Sequence, residues 1–135
     1  MMQGSCLCGN VHYTVSAEPV FTGKCYCLDC QKESGTGHST AVAVPKPALK
    51  AEGVTQAYTK QADSGGDVTR SFCPSCGTTL FVESSGTPGL TIIRAGTLDE
   101  VPAVEVNMAV FCASQRPWDR PAEGMVQFER MPPQG

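Results

Sequence analysis

Charge is scarce in this sequence: 17% of its 135 residues are charged, and the formal net charge is −3. No run of basic residues occurs, which removes the electrostatic footprint of a nucleic-acid binder. No apolar stretch approaches the roughly 20 residues that a membrane-spanning helix needs. The opening residues, "MMQGSCLCGN", have neither the charged nor the apolar region of a signal peptide, so a cytoplasmic location with reduced thiols is expected. There is no Ser-His-Asp arrangement, no phosphate-cradling glycine loop, no repeat, no low-complexity tract and no internal linker. The length suggests one domain over residues 1–135, with a core from about 4 to 130.

What the sequence does have is cysteine, eight in all, together with Gly 14 and Pro 10, which imply many turns and short elements. Most of the chain reads as strand. "NVHYTV" alternates, placing Val11, Tyr13 and Val15 on one face. "STAVAV" (39–44) is a strand stopped by Pro45, and "TQAYTK" and "VTRSF" are shorter candidates. "TTLFVE", "GLTIIRAG" and "VEVNMAVF" are rich in β-branched and aromatic residues. Turn residues lie between them in "DSGGD", "SSGTPG" and "ASQRPWDRP". Only "LDCQKES" suits a helix, of two turns at most, and "RMPPQG" reads as a loose tail.

Seven of the eight cysteines fall in three tight clusters: Cys6 with Cys8, Cys25 with Cys27 and Cys30, and Cys73 with Cys76. Gaps of one and two residues are metal-ligand spacing, and the alternative of a disulfide framework conflicts with a reducing compartment. "SCLCG" and "CPSCG" are two tight turns that aim four sulfurs at one point. Their glycines are free to take positive φ and release backbone N–H groups toward sulfur. Cys6, Cys8, Cys73 and Cys76 therefore form a candidate closed structural zinc site, with rubredoxin-type iron as the alternative. Cys25, Cys27 and Cys30 supply only three thiolates. Three protein ligands with a position left open is the arrangement of catalytic zinc. The negative charge of three thiolates makes such a metal a poor Lewis acid toward carbonyls, so binding and activation of a soft thiol is the expected chemistry. Closure by His38 or Cys112, or a Cys27–Cys30 redox pair, are the competing readings. Cys112, in "AVFCAS", also reads as a small core residue.

The segments "GSCLCGNVHYTV", "CYCLDCQKESGTGHSTAVAVP", "RSFCPSCGTTLF", "AGTLDE" and "RPWD" resemble, in that order, the glutathione-dependent formaldehyde-activating enzyme family, which includes the domain of centromere protein V. The resemblance runs from about Gly4 to Trp118. It implies an all-β fold of several small twisted antiparallel sheets stapled by zinc, similar in outline to methionine sulfoxide reductase B and translationally controlled tumour protein. It implies a structural zinc at Cys6, Cys8, Cys73 and Cys76 and a second, catalytic zinc at Cys25, Cys27 and Cys30. The implied activity is a carbon–sulfur lyase one, joining glutathione to formaldehyde or separating them, with a small thiol such as glutathione as partner. Lys24, Lys32, Arg70 and Arg94 are candidates for holding the thiol's carboxylates. His38 is a candidate base, fourth ligand or loop residue. Trp118, the single tryptophan, is a candidate packing anchor or pocket wall. Asp99 and Glu100 read as capping or solvated acids. A non-catalytic thiol carrier and a structural zinc module for a protein partner are the alternatives.

Overall fold

The computed structural model describes residues 1–62, 65–100 and 105–132. In chain order the strands are Met2–Ser5 (β1), His12–Val15 (β2), Phe21–Cys25 (β3), Ser39–Pro45 (β4), Leu49–Glu52 (β5), Gln56–Gln61 (β6), Asp67–Phe72 (β7), Thr79–Ser84 (β8), Leu90–Arg94 (β9), Met108–Val110 (β10) and Val126–Gln127 (β11). Among the described residues the helix Leu28–Ser34 (α1) is joined by three single turns of 3-10 helix. The expected all-β class holds, and the helix falls on the predicted "LDCQKES". No helix among the described residues is long and apolar enough to cross a membrane.

The chain forms two compact units, residues 1–21 with 42–103, and residues 22–41 with 104–135. In the first unit β1, β2 and β5 make a small antiparallel sheet. A second antiparallel run follows the order β9-β8-β7-β6. β2 shows the alternation read from sequence: Tyr13 and Val15 are buried and His12 is exposed. The Tyr13 ring meets Phe81 of β8 edge-on at 5.2 Å between centroids. Its hydroxyl shares a 2.7 Å hydrogen bond with Thr97 in the turn after β9. Asp99 in the same turn accepts a 2.6 Å bond from the Ser5 hydroxyl, so this acid is a tie between segments as well as a surface charge.

The second unit departs from the expected antiparallel pattern. β10 runs parallel to β3, with Ala109 opposite Lys24 and Val110 opposite Cys25, and parallel to β11. Parallel neighbours need long connections, and more than eighty residues separate β3 from β10. The predicted strand "VEVNMAVF" is also cut short to three residues at its described end. It stops where Phe111 takes left-handed backbone at φ 55°, an outlier for a bulky side chain. The Cys112 and Ala113 N–H groups then bond the Phe128 and Glu129 carbonyls. Tyr26, Ala109 and Cys112 form the buried cluster here, with Met125 packed against it. The turn "DSGGD" and the tail "RMPPQG" lie partly outside the described residues.

Two expectations follow from the first unit. A Cβ at Gly4 would run into the Tyr13 ring and the Thr97 carbonyl, so Gly4→Ala is expected to lower stability by about 1–3 kcal/mol in a denaturant titration. Burial pushes the Tyr13 phenol up to about 12 from 10. The folded state then holds a proton that the unfolded chain has lost, so this contribution to stability falls as pH rises from 10 to 12. The slope is about 1.4 kcal/mol per pH unit, and Tyr13→Phe is expected to remove it from the alkaline stability profile.

Candidate metal centres

In the first unit, two turns of matching design carry four cysteines. The Cys6 N–H bonds the Val11 carbonyl and the Gly9 N–H returns to the Cys6 carbonyl; the Cys73 N–H bonds Thr78 and the Gly77 N–H returns to Cys73. Gly9 and Gly77 sit at φ 82° and 80°, which their missing Cβ permits. The Val11 N–H points at the Cys6 sulfur at 3.3 Å. The Thr78 hydroxyl lies 3.2 Å from the Cys76 sulfur and accepts from the Leu7 N–H at 3.1 Å, so one threonine links both turns. Cys8 and Cys73, 65 positions apart, bring their sulfurs to 3.7 Å, and Cys6 and Cys8 to 3.6 Å. All four sulfurs lie within 4.8 Å of one another.

These distances are too long for disulfides, and all eight cysteines are free. They fit a metal. A tetrahedral zinc holding sulfur at about 2.3 Å sets neighbouring sulfurs about 3.8 Å apart. The charges also point to a cation. The Thr78 hydroxyl and backbone N–H groups pull the Cys76 thiol down to about 5. Cys8 goes the other way, to about 11: the Asn10 N–H favours its thiolate, but burial and the three neighbouring cysteines outweigh it. Four thiolates cannot share this space without a positive charge among them.

The second group is built at the junction of β3 and α1. Cys25 ends β3, where it lies opposite Val110, and the Tyr26 N–H bonds the Val110 carbonyl at 3.0 Å. Cys27 is the N-cap of α1, its sulfur accepting from the Cys30 N–H at 3.3 Å. Cys30 is buried in the helix. The three sulfurs again lie within 4.8 Å, a spacing that suits a thiolate-bound metal. Cys27 and Cys30 push the Cys25 thiol far upward, by hydrogen bonding to its neutral form and by charge.

Among the described residues no fourth Cys, His, Asp or Glu joins this group. His38 is taken up elsewhere. Its Nδ1 lies 2.7 Å from the Asp119 carboxylate, and its ring packs 5.2 Å from the Tyr26 ring. Cys112 is buried against Tyr26 and Ala109, its thiol pushed up by burial, which matches a core residue. Lys24 adjoins Cys25 on β3, and Lys32 is exposed in the last turn of α1. Arg70 and Arg94 stand on β7 and β9 of the first unit, where each already has an interaction partner. Trp118 is 68% exposed, so the packing-anchor expectation for it does not hold. Pro117 and Arg120 beside it are exposed as well.

Three residues with no local signature tie together the segments of the second unit. Gln31 donates its side-chain amide to the Tyr26 and Ser114 carbonyls at 2.8 and 3.0 Å. Arg116 donates from Nε to Gln31 Oε1 at 2.8 Å. Asp119, in the quoted "RPWD", fixes His38. Apart from Tyr26, five positions before Gln31, each partner is more than eighty positions away, which no periodicity reports.

The two groups make separable demands on the fold. Cys76→Ser is expected to unfold the chain, since metal binding in small domains supplies on the order of 10 kcal/mol. Cys27→Ser is expected to keep the far-ultraviolet circular dichroism and lose one metal equivalent. Equal unfolding by both variants would contradict this division.

Comparison with known proteins agrees with the geometry. Among curated proteins none matches the sequence. A crystal structure of a Rhodobacter sphaeroides protein shares the fold, with a TM-score of 0.62 at 20% identity, covering 78% of this chain and 97% of that one. Residues 1–114 match the family model described as glutathione-dependent formaldehyde-activating enzyme, a span that contains all eight cysteines. The chain belongs to that family.

Proposed function

We propose that the chain is a zinc-dependent carbon–sulfur lyase that forms or cleaves the adduct of a glutathione-like thiol with a small aldehyde such as formaldehyde. One observation carries the reading: the group of Cys25, Cys27 and Cys30 has three sulfurs where the group of Cys6, Cys8, Cys73 and Cys76 has four. Family membership supports glutathione and formaldehyde as the substrate classes. When bound by the three cysteines, zinc would supply a coordination position for a fourth sulfur and favour that sulfur's thiolate form at neutral pH.

The chain's own residues set the conditions for this. The Cys30 N–H bonds the Cys27 sulfur and holds it at the start of α1. Gln31 ties that turn to the carbonyls of Tyr26 and Ser114. In the adduct-forming direction a sulfur–carbon bond forms, the carbonyl π pair moves to oxygen, and the proton lost from sulfur ends on that oxygen. No oxidant or reductant is needed. Lys24 and Lys32 are in the same unit as the three cysteines and remain candidates for the thiol's carboxylates. Arg70 and Arg94, which belong to the other unit and already have interaction partners, are weaker ones. His38, oriented by Asp119, remains a candidate base.

The adduct also forms spontaneously, so the test must measure acceleration. Magnetization-exchange NMR on equilibrated glutathione and formaldehyde is expected to show faster interconversion with the zinc-loaded chain, and no acceleration with Cys27→Ser. Interconversion at the spontaneous rate for every thiol–aldehyde pair would contradict catalysis.

A further inference from the structure

We propose that Arg116, held by Gln31, is the docking residue for a carboxylate of the thiol substrate and sets a preference for carboxylate-bearing thiols. This rests on the thiol chemistry proposed above and names its specificity. The Gln31 amide spends its donors on two main-chain oxygens, Tyr26 O and Ser114 O, which fixes Oε1 as the end facing Arg116. The Arg116 Nε donates to that oxygen at 2.8 Å. A planar guanidinium held at one edge keeps its outer N–H groups in a fixed fork, the shape that binds carboxylate in two parallel hydrogen bonds.

Gln31 is neutral and leaves the charge of Arg116 uncancelled. Among the described residues Arg116 makes no ion pair. The acid nearest it in sequence, Asp119, has its carboxylate on His38. Arg116 is also exposed, so an anion reaches it from solvent. The four cations read from the sequence as candidates are less suited. Arg70 and Arg94 are already engaged, and among the described residues Lys24 and Lys32 have no partner that orients them. The turn carrying Arg116 is anchored: it follows the left-handed Phe111, and the Cys112, Ala113 and Gln115 N–H groups are all bonded to main-chain carbonyls.

Gln31 follows Cys30 directly in α1 and bonds the carbonyl of Tyr26, between Cys25 and Cys27, so Arg116 is tied to the segment that carries the three sulfurs. A glutathione-like tripeptide carries its thiol on the middle residue and a carboxylate toward each end, so a carboxylate lies within one residue of the thiol.

The test compares glutathione with its diethyl ester, which keeps the thiol and masks both carboxylates. Isothermal titration calorimetry on the zinc-loaded full chain is expected to show glutathione binding roughly tenfold or more tighter than the diester. Arg116→Gln keeps a donor for Gln31 and removes the charge, and is expected to bring the two affinities within about twofold. Arg116→Lys is expected to restore part of the preference. A purely structural role would weaken both thiols alike and leave the ratio, so a retained preference in Arg116→Gln overturns the proposal. So does a wild-type chain that binds both thiols equally, with the thiol chemistry left standing. A wild-type chain that binds neither thiol overturns both.

Discussion

Four sulfurs within 4.8 Å of one another are the constraint on which the first unit is organised. As thiolates they repel, and as thiols they would leave a polar knot between two turns with no strong bond to hold it. A cation among them would turn that conflict into a staple, joining the end of β1 to the β7–β8 connection across 65 positions. Short strands and turns bury little apolar surface on their own, so a crosslink of this kind matters more here than in a larger core. The Thr78 hydroxyl, shared between the Cys76 sulfur and the Leu7 N–H, shows how closely the two turns are fitted to one point.

The second unit repeats the sulfur chemistry with one ligand fewer and a different support. Its cysteines ride on a strand end and a helix start, held by side-chain bonds from Gln31 and by the pairing of β3 with β10. The residues best placed by type to complete the group are committed elsewhere, His38 to Asp119 and Cys112 to the apolar cluster around Tyr26. The His38–Asp119 bond and the packing of Cys112 also stiffen the surroundings of the group.

The legible part of the fold and site was what local spacing encodes. Both cysteine groups follow from one- and two-residue gaps, and β2, β4, β8 and β9 follow from alternation and β-branched content. β1, β3 and β11 carry "MQGS", "FTGKC" and "VQ", with too few apolar residues to announce a strand; they exist because neighbours pair with them. The parallel pairing of β10 is a tertiary outcome, and the stop at Phe111 is a backbone conformation that phenylalanine does not signal. Likewise Gln31 with Arg116 and His38 with Asp119 meet only after folding. Trp118 misled because a lone tryptophan suggests a core, and this one is exposed.

The central claim is that one sulfur group is complete and the other keeps a place for a substrate thiol. The most direct measurement is cadmium-113 NMR of the cadmium-substituted chain titrated with glutathione. Two resonances are expected, of which one stays fixed and the other, absent in Cys27→Ser, moves as glutathione binds. A single resonance, or two that both ignore glutathione, would contradict the account.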